Sequence, residues 1–331
     1  MFPRVKLGTL PTPLHPLQKV SEEVGTEVWI KRDDLTGYAL GGNKVREAEF
    51  LLADAVQQGA DIVITAGTIQ SNHVRVIAAA AGRLSIQCHL FLSGELPEQP
   101  SGNLLLDYLA QADIHVVPSR ADRGQAMDSF AESLRKSGRK PYIIPVGGAN
   151  AVGAYGYVSG FQELDDQVRS LQWKPTTLLF ASSTGTTYAG TLVGKSLTNS
   201  QVRLLGIDTD LDPDARRAIC SIANDLAERL GIAQRFQPGE VALNSDYVGG
   251  GFGIPTDEGS SALRRLWQLE GILLDPVYTA KAMAGLISLA EQGNWRNERV
   301  IFLHTGGTPT TFSSSVLSHL GIQATAGKTH Q

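Results

Sequence analysis

Short apolar runs rich in β-branched residues alternate with helix-period stretches along most of this chain. That alternation limits the possible fold more than any other feature. The runs lie at 27–31 (EVWIK), 61–66 (DIVITA), 87–92 (QCHLFL), 114–117 (IHVV), 141–146 (PYIIPV), 177–181 (TLLFA), 202–208 (VRLLGID) and 299–304 (RVIFLH). Nearly continuous apolar strands of this kind belong to parallel sheets covered on both faces. Helices are predicted between them, at 43–57, 71–83, 103–112, 124–136, 151–171, 185–197, 213–230, 257–269 and 280–292. In the first, Val45, Ala48, Leu52, Ala55 and Val56 share one side. Strand–helix alternation predicts an α/β protein with mostly parallel sheets and right-handed crossovers.

The chain has 331 residues, about two domains' worth. There are too many strand–helix units for one compact open sheet, so two α/β domains flanking a cleft are expected. Apolar residues make up 42% and charged residues 19%, which excludes general disorder. The charge balance is 29 − 33 = −4, with no basic stripe of the kind nucleic-acid binding calls for. Only Cys88 and Cys220 are present, which argues against a disulfide framework and fits a reducing cytoplasm. The first residues lack the apolar core of a signal segment. No run approaches the roughly 18 apolar residues of a membrane span. The polar tail 324–331 is expected to fray.

Three glycine-rich loops sit where parallel α/β proteins bind ligands. Gly41-Gly42-Asn43-Lys44 opens the first strong helix. A first-turn position is electrostatically poor for an ammonium, and a lysine whose charged form is disfavoured is the better nucleophile. The stretch 65–73 (TAGTIQSNH) joins a strand to an alanine-rich helix. There Ser71 or Asn72 can cap, and free N–H groups suit a carboxylate or phosphate. The stretch 182–190 (SSTGTTYAG) follows another strand and makes a cradle for one phosphate. It is no Walker A loop, since Gly194-Lys195-Ser196 would need glycine at Ala189. The seven histidines are scattered without metal-ligand spacing, so no metal site is expected. No G-x-S-x-G elbow occurs. A nucleophilic lysine, a phosphate cradle and a carboxylate site are the parts that pyridoxal phosphate chemistry needs.

The motifs IKRDDLTGYALGGNKVREAEFLLADA, ITAGTIQSNHVR, PYIIPVGGANAVGAYGY, DPVYTAKAMAGL and IFLHTGGTP together resemble the D-cysteine desulfhydrase and 1-aminocyclopropane-1-carboxylate deaminase family. The resemblance runs in order from about Leu7 to Phe312. It implies pyridoxal 5'-phosphate on a two-domain, three-layer α/β/α fold of the tryptophan-synthase-β type (fold type II). A smaller domain at 47–155 would be inserted in a larger cofactor-binding one formed by 1–46 and 156–331. It also implies a cytoplasmic homodimer acting on a small amino acid, with neither nucleic acid nor membrane as partner.

The resemblance makes Lys44 the lysine that carries the cofactor. Ser71 and Asn72, with Gln70 and His73 beside them, match the substrate site, and Asn72 would bond the cofactor's ring hydroxyl. Thr184, Gly185, Thr186 and Thr187 match the phosphate loop, and Thr305 the partner of the ring nitrogen. Tyr247 and Tyr278 match two active-site tyrosines. Thr279 after that tyrosine and His73 after QSN resemble the desulfhydrase branch, where deaminases carry glutamate and glutamine. Tyr188, Ala280 and the VGGGFG stretch depart from the usual pattern. The expected reaction is β-elimination of D-cysteine to pyruvate, ammonia and sulfide. Lys44 is the leading base for the α-proton, and Ser71 or a tyrosine is its rival. Deamination of 1-aminocyclopropane-1-carboxylate, elimination from another β-substituted amino acid such as cysteate or β-chloroalanine, and a non-catalytic cofactor-binding protein stay open as alternatives.

Overall fold

The computed structural model describes residues 2–317; the tail at 324–331 lies outside the described residues. Among the described residues, ten strands form two sheets. They are β1 (Leu14–Pro16), β2 (Glu27–Lys31), β3 (Ile62–Thr68), β4 (Gln87–Ser93), β5 (Asp113–Val117), β6 (Pro141–Ile143), β7 (Thr177–Ser182), β8 (Arg203–Asp208), β9 (Leu243–Asn244) and β10 (Arg299–Leu303). The larger sheet has the order β1-β2-β10-β7-β8-β9 and the smaller β5-β4-β3-β6. Every pairing is parallel except β1 with β2.

The principal helices are α1 (Gln18–Val24), α2 (Asn43–Gln57), α3 (Asn72–Arg83), α4 (Gly102–Leu109), α5 (Asp122–Lys136), α6 (Ala151–Ser170), α7 (Thr186–Thr198), α8 (Ala215–Arg229), α9 (Asp257–Glu270) and α10 (Thr279–Glu291). The period of two along β10 sorts them into layers. Val300 and Phe302 enter a core shared with α1, α9 and α10. Ile301 and Leu303 enter another shared with α6, α7 and α8. The smaller sheet is covered likewise by α2, α3 and α4 on one face and α5 on the other. Packing of α6 on α7 is close enough that a Cβ at Gly190 would lie 2.0 Å from the Ala154 carbonyl oxygen.

Each predicted strand and helix has a counterpart within a few residues, with one informative exception. The run 141–146 was expected to be strand throughout, yet β6 ends at Ile143. Pro145 has no N–H for a ladder, and a tight turn over Val146–Gly148 follows, with Gly147 at φ 67°. The expected division points, 46/47 and 155/156, fall inside α2 and α6, both of which continue unbroken.

Candidate active site

The carboxyl ends of the strands of both sheets open on one cleft, where α/β sheets place ligands. It encloses about 840 Å³, its open mouth included, which is ample for a cofactor and a small substrate. Its wall is built from the loops after β3, β5, β6, β7, β8 and β10.

Lys44 reaches this cleft from the first turn of α2. The turn before it requires glycine, since a Cβ at Gly41 (φ 72°) would lie 1.9 Å from the Asp34 carbonyl oxygen. Lys44 Nζ donates to Glu47 Oε2 at 2.8 Å and to the Gly147 carbonyl at 2.7 Å. The second contact explains the early end of β6, because the turn that follows aims the Gly147 carbonyl at the amine. Glu47 is fully buried. Burial pushes its carboxyl above the usual range, against the pull of Lys44 and of the Thr187 hydroxyl bonded to it.

Opposite lies the loop after β7. The backbone N–H groups of Ser183, Thr184 and Gly185 have no acceptor among the described residues, and the free N–H groups of the first turn of α7 follow them. Thr186 is buried, with its hydroxyl 3.4 Å from the Gly147 carbonyl oxygen. Thr187 accepts from Asn43 Nδ2.

The start of α3 supplies a second cradle. Ser71 caps it, its Oγ accepting from Val74 N. Asn72 Oδ1 accepts from Arg75 Nη1 and Asn103 Nδ2. The amide is thereby oriented, and its Nδ2 has no acceptor among the described residues. His73 is buried in the wall with Nε2 2.9 Å from Thr65 Oγ1. Thr65 donates to the Ile144 carbonyl, so the proton of the ring is assigned to Nε2. Burial, then the nearby Lys44 charge, hold His73 well below its ordinary pKa, so it stays neutral. Thr305 lines the cleft with no partner for its hydroxyl among the described residues, while its carbonyl accepts from Asn43 N. The Tyr278 hydroxyl makes no hydrogen bond among the described residues either, and burial raises its pKa.

The cleft therefore gathers Lys44, Ser71, Asn72, His73, Thr184, Gly185, Thr187, Tyr278 and Thr305. It does not gather Gln70, Tyr247 or the side chain of Thr186, which is buried behind the loop. Gln70 instead clamps the loop before α4, donating to the Ser101 carbonyl and accepting from Asn103 N. Tyr247 packs on the core beneath the larger sheet, its ring close to Gly285; for a tyrosine, core packing is always the competing role. Thr279 also turns away and bonds Asp275 through Oγ1. Tyr188 is held by Ala242 N at its hydroxyl and ties β8 to β9. Sequence reasoning passed over Glu47, Arg120, Arg123, Asp210 and Phe252, all at the cleft or bonded into it. Each read as an ordinary surface charge or loop aromatic.

The amine, the two N–H cradles and the two free donors fit pyridoxal phosphate. Lys44 would hold its aldehyde carbon, residues 183–187 its phosphate, Asn72 its ring hydroxyl and Thr305 its ring nitrogen.

A sequence profile of the pyridoxal-phosphate dependent enzymes matches residues 5–306. A D-cysteine desulfhydrase of Klebsiella pneumoniae subsp. pneumoniae is 40% identical over 319 residues, 94% of this chain and 96% of that protein. A putative 1-aminocyclopropane-1-carboxylate deaminase of Pyrococcus abyssi is 40% identical over 314 residues, 94% and 93% of the two chains. The crystal structure of a homologue of that deaminase superposes with a TM-score of 0.89 at 38% identity, covering 96% of this chain and 95% of that one.

Proposed function

This chain belongs to the pyridoxal-phosphate dependent enzymes, and from that premise we propose that it eliminates the β-substituent of D-cysteine, yielding pyruvate, ammonia and sulfide. The observation that carries the reading is Lys44 Nζ, suspended between Glu47 and the Gly147 carbonyl and facing both N–H cradles. Two curated D-cysteine desulfhydrases of Klebsiella strains at 40% identity support the choice of substrate.

Bound pyridoxal phosphate supplies the electron sink that makes the α C–H bond of an amino acid breakable. The residues of the chain do the rest. The start of α3 at Ser71–Asn72 holds the substrate carboxylate with N–H groups and the helix dipole. The Lys44 amine takes the α-proton, and the neighbouring Glu47 carboxylate steadies the ammonium that forms. The Tyr278 hydroxyl, free of other partners, donates toward the departing sulfur. His73, neutral and fixed by Thr65, adds no charge that would compete for the carboxylate. Thr305 is a hydroxyl and not an acid, so it leaves a ring nitrogen uncharged, which favours prompt loss of the leaving group over long-lived carbanions.

The test is release of sulfide and pyruvate by the cofactor-loaded protein with D-cysteine, run beside L-cysteine. Release from the D form supports the reading, and no release from either removes it. The competing deaminase reading has the Pyrococcus abyssi relative on its side, and formation of 2-oxobutanoate from 1-aminocyclopropane-1-carboxylate identifies it. A protein that binds the cofactor without turnover would give neither product. We further propose a cytoplasmic homodimer. Two buried free thiols, Cys88 and Cys220, are consistent with a reducing compartment.

A further inference from the structure

Arg75, in the first turn of α3, is 2% exposed. Its bonds go to neutral oxygens. Nη1 donates to Asn72 Oδ1 at 3.2 Å and to Asn103 Oδ1 at 2.9 Å, and Nη2 donates to the Gly41 carbonyl at 2.7 Å. Nε has no partner among the described residues. Asp107, on α4, is the carboxylate whose charge acts on the guanidinium, through space and without a hydrogen bond. Burial draws the Arg75 pKa down to about 10 and raises that of Asp107 to about 8. Near neutrality the arginine is therefore charged while the aspartate largely keeps its proton. A positive charge thus stands in a desolvated wall, against an amide whose other end faces the cleft.

An arginine has donors and no acceptor. The Asn72 atom turned to it is therefore the oxygen, and Nδ2 is the atom left for the cofactor. In a medium of low dielectric, a hydrogen bond to an ion polarises the next bond of the chain. A guanidinium on Oδ1 draws electron density through the amide and makes Nδ2 the stronger donor. We propose that Arg75 is a positioning residue that acts through Asn72, strengthening its Nδ2 donor so that the ring oxygen of bound pyridoxal phosphate stays ionised. This rests on the assignment of Asn72 to that oxygen. The surrounding bonds keep the relay in place. Asn103 Nδ2 donates to Asn72 Oδ1 and to the Gln70 carbonyl, both at 2.9 Å. The bond from Nη2 holds Gly41, three residues before Lys44. One guanidinium thereby ties the turn that carries the amine to the amide that meets the ring.

The experiment follows the visible absorption of the cofactor-loaded protein against pH. It compares the parent, Asn72→Ala, Arg75→Gln, Arg75→Lys and the double variant Asn72→Ala/Arg75→Gln, with the melting temperature of each. The band moves to shorter wavelength when the ring oxygen takes up a proton, so its midpoint pH reads the strength of the donor. Lys44, Glu47 and His73 stand at the same site and are the same in every protein. The midpoint should rise by about one pH unit in Asn72→Ala and by about half a unit or more in Arg75→Gln, which is about tenfold and about threefold in the proton equilibrium. Arg75→Lys, which keeps the charge and loses the fork, should lie between Arg75→Gln and the parent. The double variant should go no further than Asn72→Ala, because the arginine then has no amide to act on. A parental midpoint in Arg75→Gln overturns the proposal, and so does a double-variant shift equal to the sum of the two single shifts. Should Arg75→Gln fail to fold, Arg75→Lys takes its place, and a parental midpoint there overturns the proposal in the same way. If Asn72→Ala leaves the midpoint where it was, it is the assignment of Asn72 to the ring oxygen that fails, and the role of Arg75 falls with it.

Discussion

Lys44 Nζ sits 2.8 Å from Glu47 Oε2, one helical turn further along α2. The Glu47 carboxylate is wholly buried, with Thr187 on its other oxygen, so the pair is shielded from solvent and weakly screened.

Glu47→Gln keeps the shape and removes the charge. The Glu47 carboxyl titrates above the ordinary carboxylate range because burial outweighs the Lys44 and Thr187 contributions. Parent activity should therefore fall on the acid side as this group takes up a proton. We expect the variant to lose that acid limb and to run about tenfold slower at its plateau, measured as kcat/KM against pH. An unchanged acid limb would falsify the role. Lys44→Ala should have no measurable turnover.

Arg120→Ala removes a bond that joins the loop after β5 to the loop after β8 across the cleft mouth. Its side chain is half exposed, so stability should change by less than about 1 kcal/mol. The effect belongs in KM, which should rise about three- to tenfold with kcat little altered. A fall in kcat at constant KM would show that the pair acts on chemistry rather than on closure.

Asp107 is wholly buried with no partner for either carboxylate oxygen among the described residues. Burial pushes its pKa up to about 8, with Arg75 pulling the other way. In an unfolded chain the group titrates near 4. Folding thus takes up a proton between about pH 4 and pH 8, and stability falls as pH rises through that window. Asp107→Asn should match the parent near pH 4 and exceed it increasingly toward pH 8, on the order of 1–3 kcal/mol. Unfolding curves that stay parallel across that range would exclude this.

Asp33 shows the opposite sign. Burial would raise its pKa, but the two-pronged Arg46 contact, Lys31 and the Tyr157 hydroxyl hold it at about 2. Its contribution is present above the ordinary carboxylate range and is lost only as pH falls toward 2. Asp33→Ala leaves Arg46 buried with only Glu163 as a carboxylate partner and should cost about 3–5 kcal/mol near neutrality. Tyr157→Phe, which removes one hydrogen bond, should cost about 1–2 kcal/mol. Chemical denaturation of both variants at pH 7 checks the order.

These pairs also mark where sequence reading stops. The strand–helix order was legible because long apolar runs can be buried only one way. The edge strands β1 and β9, three and two residues long, carry no pattern. Lys44 was legible because two glycines and an asparagine announce a helix start. Arg46, Glu47 and Glu49 were not. Charges inside a helix normally face water, and here they are buried because partners arrive from elsewhere in the chain: Asp33 and Glu163 for Arg46, Thr187 for Glu47, and Arg4 for Glu49. Arg123, in sequence one more charge at a helix start, is buried too, with its Nε donating to the Arg120 carbonyl. Tyr247 shows the converse: a motif can name a tyrosine without fixing where its ring points.

The chain crosses between the two sheets at short irregular stretches, 32–42 from β2 to α2 and 144–150 from β6 to α6. Both stretches are tied by their own turns, Gly41 N to the Tyr38 carbonyl in one and Gly148 N to the Pro145 carbonyl in the other, so a protease searching for a pliable segment between the halves meets hydrogen-bonded backbone there.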